Sequence, residues 1–237
     1  MQSGTAELMC PWDGYAPATV QFCEARLCSV IVEPANAWSN VGFIVVGAYL
    51  LVRAARLGKL PLTLIGVTSV LVGVGSFLFH MSGTLIGELI DVSTMLLIGG
   101  LMLSLELRRL IPLKTAWHTA AVYAGIVAAF EAVLLVFPVL GIALFSTQVA
   151  LFVFAHLLCR FREKGTNYRY MRWLFWSFGL GFGIWVLDFS GAACDQNFHL
   201  FNGHAAWHLL TAVCMLFYFM HQSQFFVTPG KHGPSTS

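Results

Sequence analysis

The chain is short of charge. Of its 237 residues only 13 are Lys or Arg and 11 are Asp or Glu, which is 10% in total, whereas a soluble domain has about 25%. Hydrophobic residues make up 58%. This composition excludes an ordinary soluble domain and indicates that lipid is the solvent. The net charge of +2 points to no nucleic-acid partner.

Long polar tracts are also missing, and apolar runs fill most of the chain. A helix needs about 20 mainly apolar residues to cross the hydrocarbon core, and seven stretches qualify. Because these runs are continuous and not alternating, they predict helices and not barrel strands. The predicted fold class is therefore all-α, a polytopic membrane protein with a seven-transmembrane helix bundle. The predicted spans are residues 37–55, 62–82, 84–106, 116–137, 139–159, 171–191 and 203–222.

Basic residues are divided unevenly between the two ends of these spans. Arg26 lies on the side of the N-terminus, and the other 12 of the 13 lie on the opposite side. By the positive-inside rule, the N-terminus is non-cytosolic and the C-terminus is cytosolic. We predict a non-cytosolic N-terminal segment without a signal peptide at 1–34, a seven-transmembrane domain at 35–222 and a cytosolic, disordered tail at 223–237.

Polar residues within the spans are concentrated at one depth. A charged group near the membrane centre costs at least ~2.5 kcal/mol, so such residues indicate a function or a compensating partner. His80 lies at the end of span two with Ser76 one turn deeper, Asp91 is two turns into span three, and His204 and His208 begin span seven. We expect all five to meet in the non-cytosolic leaflet.

The two histidines of span seven are four residues apart, so both imidazoles project from one helix face and suit two positions around a tetrahedral zinc ion. His80 would add a third nitrogen and leave the fourth position for water, which is the layout of a catalytic zinc site. Zinc lowers the pKa of such a water towards ~7. Asp91 would then act as general base, and Ser76 would bind the water or the oxyanion.

The same residues carry a resemblance to a known family, the alkaline ceramidases, which belong to a superfamily of seven-helix membrane hydrolases that includes adiponectin-receptor-like proteins. The matching motifs are Gly75-Ser76-xxx-His80-Met81, Asp91 and Gly203-His204-Ala205-Ala206-Trp207-His208-xxx-Thr211. The resemblance covers about residues 23–221. It implies a zinc-dependent amidase that splits the N-acyl bond of ceramide into a sphingoid base and a fatty acid, with zinc bound by the three histidines.

The family also has a calcium site in the segment before its first helix, and Glu24 and Glu33 resemble two of its ligands. Gln21, Phe22 and Arg26 stand where the family has Asp, Trp and Asn. Calcium prefers several oxygen ligands that include carboxylates. The loss of a carboxylate and an amide and the gain of a cation therefore argue against Ca²⁺, and Arg26 would pair with Glu24 or Glu33 instead.

Four of the six cysteines lie on the predicted non-cytosolic side, where disulfides form. Four cysteines allow three pairings, and free buried thiols are the alternative. The resemblance implies a disulfide between Cys23 and Cys194, which leaves Cys10 and Cys28 as a second pair.

Further polar residues lie outside this set. We expect Glu131, Gln148 and Asp188 to line the substrate cavity. Asp188 would either orient a zinc-bound imidazole or form a helix–helix hydrogen bond. Glu88 lies near the surface of the membrane and is expected to be solvated. His156 lies towards the cytosolic side, as does His221, too far away to bind the same zinc.

Alternative functions fit the same pattern. The two alternatives are a hydrolase of another N-acylated lipid and a lipid-sensing receptor with a structural zinc. Asp91 favours an enzyme, because a structural zinc needs no base beside an open position. A proton-relay transporter is disfavoured because the polar residues do not cross the membrane. We expect an integral multi-pass protein whose active site faces the non-cytosolic leaflet and whose partner is a membrane lipid.

Overall fold

The computed structural model describes residues 9–111, 113 and 115–226. Within these ranges the regular structure is helical, apart from an isolated β-bridge between Pro17 and Thr84. A short 3-10 turn joins the fifth and sixth helices. The helices are α1 (Pro34–Ser39), α2 (Val41–Leu57), α3 (Leu60–Ser82), α4 (Leu85–Leu110), α5 (Ala116–Val136), α6 (Gly141–Arg162), α7 (Arg169–Phe189) and α8 (Gly203–Phe226).

Six segments of the described chain are long and apolar enough to cross a membrane, and the first consists of α1 and α2 together. The 21-residue α7 has the length of a span too, but Arg172, Asp188 and three tryptophans make it less apolar. The predicted all-α bundle is confirmed. Because α8 continues to Phe226, residues 223–226 are helical, and residues 227–237 of the predicted tail lie outside the described part of the chain.

A tight turn joins α3 to α4 and places their functional residues side by side. Gly83 ends α3 with φ of 63°, a left-handed conformation that glycine adopts at little cost. Thr84 then begins α4, because its side-chain oxygen accepts the backbone N–H of Gly87. The last turn of α3 and the first turns of α4 therefore lie at the same end of the bundle.

The bundle has two ends, which we call the N-terminal end, where α8 begins, and the C-terminal end, where α8 ends. Helix α4 packs against α3, α5 and α6, and α8 packs against α7, α2 and α3. An apolar core that includes Leu50, Leu101 and Tyr218 fills the C-terminal half. Large apolar side chains such as Leu135 and Trp176 are exposed on the outer surface, as expected of a surface that faces lipid.

Residues 9–33 form an irregular cover over the N-terminal end. Disulfides join Cys10 to Cys28 within this cover and Cys23 to Cys194 in the loop before α8. The pair Cys23–Cys194 is the one that the family resemblance implies, and Cys10–Cys28 is the second pair that it leaves. The second disulfide fastens the cover to the loop from which α8 begins, so both are held close to the first turns of that helix.

Candidate functional site

Three imidazoles meet at the N-terminal end of the bundle. His80 comes from the last turn of α3, and His204 and His208 come from the first turns of α8. All three are buried, and their ligand atoms lie within 4.8 Å of one another. The Nε2 atoms of His80 and His204 are 3.3 Å apart. Two nitrogens bound tetrahedrally to one zinc at about 2.1 Å would be separated by roughly 3.4 Å, so this pair fits zinc.

A carboxylate holds the other nitrogen of His80. Glu33 Oε2 lies 2.7 Å from His80 Nδ1, and because a carboxylate only accepts, the ring donates its Nδ1–H. In the neutral imidazole the Nε2 atom then keeps its lone pair. Burial raises the pKa of the Glu33 carboxyl, but contacts with His80, Asn36 and Arg26 outweigh it and hold the pKa below its ordinary value. Glu33 is thus an ionised partner at neutral pH.

A hydroxyl fixes His208 in the same way. Ser39 Oγ lies 2.8 Å from His208 Nδ1 and 2.8 Å from the carbonyl oxygen of Asn36. The hydroxyl hydrogen is donated to the carbonyl, so the oxygen accepts the Nδ1–H of the imidazole. The cluster therefore contains at least two imidazoles with a free Nε2 lone pair. Lone pairs gathered in this way repel one another unless a shared proton, as between His80 and His204, or a metal ion lies between them, and the fixed far nitrogens are typical of metal-binding imidazoles.

Ser76 and Asp91 lie beside the histidines. Both line a cavity of about 360 Å³ whose wall also includes His204 and His208. Asp91 is buried, and its Oδ1 has no hydrogen-bond partner among the described residues. A buried carboxylate oxygen rarely lacks a partner, and here it is free to accept a proton from a bound molecule. Most of the remaining wall is apolar, which suits hydrocarbon chains.

Phe22 closes one side of the histidine cluster. Its ring centre is 3.9 Å from that of His204, with 31° between the planes, and 5.4 Å from that of His80. The adjacent Cys23 is tied by its disulfide to Cys194. The N-terminal cover thus shields two imidazoles from bulk water, a role that the sequence pattern did not show.

The segment compared with the calcium site contains internal ion pairs. Arg26 Nε lies 3.1 Å from Glu33 Oε1, which is one of the two pairings expected in place of the ion. Glu24 accepts two backbone N–H groups at the start of α1 and lies 2.9 Å from His199 Nδ1. Both carboxylates therefore have protein partners.

Asp188 contacts backbone and not an imidazole. Its Oδ1 accepts the N–H of Gly203 at 2.9 Å. This contact between α7 and α8 corresponds to the helix–helix alternative, and it fixes the first turn of α8, from which His204 projects.

Gln148 lines the cavity as expected. Glu131 instead accepts a hydrogen bond from Ser93 at 2.9 Å.

Glu88 is buried, so the expectation that it would be solvated is wrong. The N-terminal cover lies over it, and both the backbone N–H and the hydroxyl of Thr19 donate to its carboxylate. No local pattern in the sequence shows this contact, because the partners are far apart in the chain.

A second buried cluster lies at the C-terminal end and was not predicted. Glu106 from α4, His156 from α6 and His221 from α8 place ligand-type atoms within 4.8 Å of one another. Arg109 already lies among them, with Nη1 at 2.6 Å from Glu106 Oε2 and 3.4 Å from His221 Nε2. The three-residue spacing of Glu106 and Arg109 on one helix is the sequence signal that could have indicated an ion pair here.

A protein-family profile described as Ceramidase matches residues 14–234. No curated protein matches the chain in sequence. The matched region includes the three histidines, Ser76 and Asp91, and the family implies a hydrolase that acts on an amide bond. With nearly its whole length matched, this chain belongs to the ceramidase family.

Proposed function

We propose that the protein is a zinc-dependent intramembrane amidase that hydrolyses the N-acyl bond of ceramide. Family membership supports the substrate and the reaction class. The observation that carries the zinc proposal is that His80 and His208 both donate Nδ1–H to protein acceptors, which leaves their Nε2 atoms for a metal. With His204 they would hold zinc, which when bound supplies a Lewis acid that lets water ionise near neutral pH.

Asp91 and Ser76 would handle the proton and the oxyanion. Water adds to the carbonyl carbon of the amide while Asp91 accepts a proton from it. The hydroxyl of Ser76, one helical turn from His80 on the cavity wall, would donate to the carbonyl oxygen as negative charge develops there. The C–N bond then breaks as the proton passes from Asp91 to the nitrogen, which yields a fatty acid and a sphingoid base.

The cavity supports a lipid substrate. It runs from the histidines along apolar side chains that include Val72, Met95 and Phe152. Hydrocarbon tails placed there would fix the amide beside Asp91 and exclude bulk water from it, which strengthens every electrostatic contact around the reacting bond.

The test combines metal content with turnover of a labelled ceramide in purified protein. We expect wild type to contain about one zinc per chain and His80→Ala to lose both zinc and turnover. His118→Ala is the matched control, because His118 is exposed near the C-terminal end of the bundle, and it should retain both. Asp91→Asn should keep zinc and lose turnover. Wild type that binds zinc but hydrolyses no lipid would instead support a lipid sensor.

We also propose that the site faces the non-cytosolic leaflet. The disulfides lie at the N-terminal end, and disulfides persist in oxidising compartments. The basic residues lie mainly at the C-terminal end. A cysteine at exposed Tyr15 should react with an impermeant thiol reagent applied to the non-cytosolic side. One at exposed Phe161 should react from the cytosolic side. The reverse pattern would invert the proposed orientation.

A further inference from the structure

Gln148 is a buried amide without a partner. Its side chain on α6 is fully buried, and neither Oε1 nor Nε2 has a hydrogen-bond partner among the described residues. It lines the same cavity as His204 and His208. Buried polar groups are nearly always hydrogen-bonded, so an amide whose donor and acceptor are both unused indicates a missing polar partner.

The side-chain amide of Gln148 lies closer to the C-terminal end of the bundle than the histidines do. Gln148 packs on Gly99 of α4, where a methyl group would overlap its Oε1 atom. Gly99 is eight residues beyond Asp91 (99 − 91), which at ~1.5 Å per residue is about 12 Å along the helix. An extended hydrocarbon chain advances about 1.2 Å per bond. The side-chain amide of Gln148 would therefore lie beside a tail atom roughly ten bonds from the substrate amide that is cleaved.

The surroundings of the amide indicate what it would bind. Met95, Met102 and Phe152 form apolar wall nearby, which suits a hydrocarbon tail. Thr211, another polar residue of the wall, donates its hydroxyl to the carbonyl of Trp207 on its own helix. A free amide can accept one hydrogen bond and donate another, and a hydroxyl group offers both in return.

We propose that Gln148 is a binding residue for a hydroxyl group carried in the middle of a substrate tail. This inference rests on the proposed function, because it assumes that the cleaved amide lies beside Asp91. It deepens that function by naming the substrate class as N-acyl lipids with an oxygenated tail. A lipid with saturated tails would leave the side-chain amide of Gln148 without a partner in the bound state. Such a lipid would therefore be a poorer substrate.

The test compares lipids of equal chain length. One is saturated, one has a hydroxyl about ten bonds from the amide on the acyl tail, and one has it on the sphingoid tail. Wild type should favour one hydroxylated lipid over the saturated lipid by roughly tenfold in kcat/KM, a factor within the range of one hydrogen bond to a buried group. Gln148→Leu should abolish or reverse this preference, measured as the ratio of the kcat/KM values for the two lipids in the same variant.

A second pair of variants separates the amide from the side-chain volume. Gly99→Ala should weaken the preference by displacing the Gln148 amide, whereas Gly100→Ala is the matched control, because a methyl group there would meet Val127 of α5. Thermal stabilisation by the same three lipids is measured in parallel. Equal preference in wild type and Gln148→Leu would overturn the inference. Absence of all turnover would overturn the proposed function, and the binding measurement would still decide the role of Gln148.

Discussion

The two buried histidine clusters can be compared directly, because each takes ligand-type side chains from α8 and from other helices of the bundle. At the N-terminal end, His80, His204 and His208 meet, and in the described residues no lysine or arginine forms a hydrogen bond or an ion pair with the rings. At the C-terminal end, Glu106 and His221 surround the guanidinium of Arg109. One cluster gathers imidazole nitrogens that could hold a metal ion, and the other already contains the guanidinium of Arg109.

The key imidazole nitrogens face different partners in the two clusters. Arg109 carries only donors, so its Nη1–H is donated to Nε2 of His221 at 3.4 Å, and the lone pair of that nitrogen already faces a cation. In the N-terminal cluster, His80 donates its Nδ1–H to Glu33, and its Nε2 faces the ring of His204. A set of metal-type ligands within reach is thus not sufficient, because a guanidinium can take the place of a metal among them.

Arg109 also fastens the C-terminal end of the bundle. It donates to Glu163 and to the hydroxyl of Tyr168, and its guanidinium lies 4.2 Å from the ring centre of Phe225. Burial raises the pKa of the Glu163 carboxyl, but Arg109 outweighs it and holds the pKa below its ordinary value. The C-terminal cluster is therefore a structural ion-pair network, whereas the N-terminal cluster consists of imidazoles that could hold a metal ion.

The largest expected difference comes from truncating one histidine of α8 in each cluster. His208→Ala should lose zinc and reduce turnover by about 10³-fold or more, because metal catalysis contributes several kcal/mol to the transition state. His221→Ala should keep zinc and retain turnover within a few-fold. Metal analysis and ceramide hydrolysis on both purified variants provide the measurement. Loss of zinc from His221→Ala would mean that the two clusters are not separate in function.

Replacement of Arg109, the cation inside the C-terminal cluster, should allow that cluster to bind a metal ion as we propose for the N-terminal cluster. Arg109→Met leaves the carboxylate of Glu106 buried and unpaired, and we expect a loss of about 3–5 kcal/mol in the free energy of unfolding. Without Arg109, a divalent cation can enter among Glu106, His156 and His221. Added zinc should therefore raise the thermal stability of Arg109→Met and bring its metal content towards two per chain, with little effect on wild type. An unchanged melting temperature in zinc would contradict this account.

The N-terminal cluster could be predicted because its evidence is local. His204 and His208 are one turn apart, Ser76 and His80 are one turn apart, and the polarity of these residues stands out within apolar spans. The directions of the spans then place the functional residues of α3, α4 and α8 at one depth in the membrane. The family motifs rest on the same positions, so they indicate the same site.

Other parts of the site could not be predicted because their contacts connect distant segments. Glu33 reaches His80 across 47 residues, and Ser39 reaches His208 across 169. Both lie at the start of the first span, where the sequence indicates Glu33 only as a calcium ligand or a partner of Arg26 and gives no role to Ser39. The C-terminal cluster was missed because Glu106 and His156 are separated by 50 residues and lie among basic residues that the positive-inside rule already explained.

Weakening the partner of His80 tests whether the far nitrogen controls metal binding. In Glu33→Gln the neutral amide is a poorer acceptor for Nδ1–H, so we expect zinc affinity to fall by about 10- to 100-fold, the usual effect of losing such a partner. Glu131→Gln is the matched control, because Glu131 contacts Ser93 and lies away from the histidines. Competition with a zinc chelator measures both. Equal affinity in Glu33→Gln and wild type would show that the carboxylate does not tune the ring.

The smallest expected effect concerns the neutral partner of the second imidazole. Ser39→Ala removes the oxygen that accepts Nδ1–H from His208, and one neutral hydrogen bond contributes about 0.5–1.5 kcal/mol, or roughly 2- to 10-fold in affinity. The loss should appear as weaker zinc binding with nearly unchanged unfolding. Ser104→Ala, whose buried hydroxyl donates only to the Leu101 carbonyl of its own helix, should leave zinc affinity unchanged. If Ser39→Ala weakened zinc binding as much as Glu33→Gln, the charge of the group that accepts Nδ1–H would not affect zinc affinity. The contrast between the two clusters would then rest on the position of Arg109 alone.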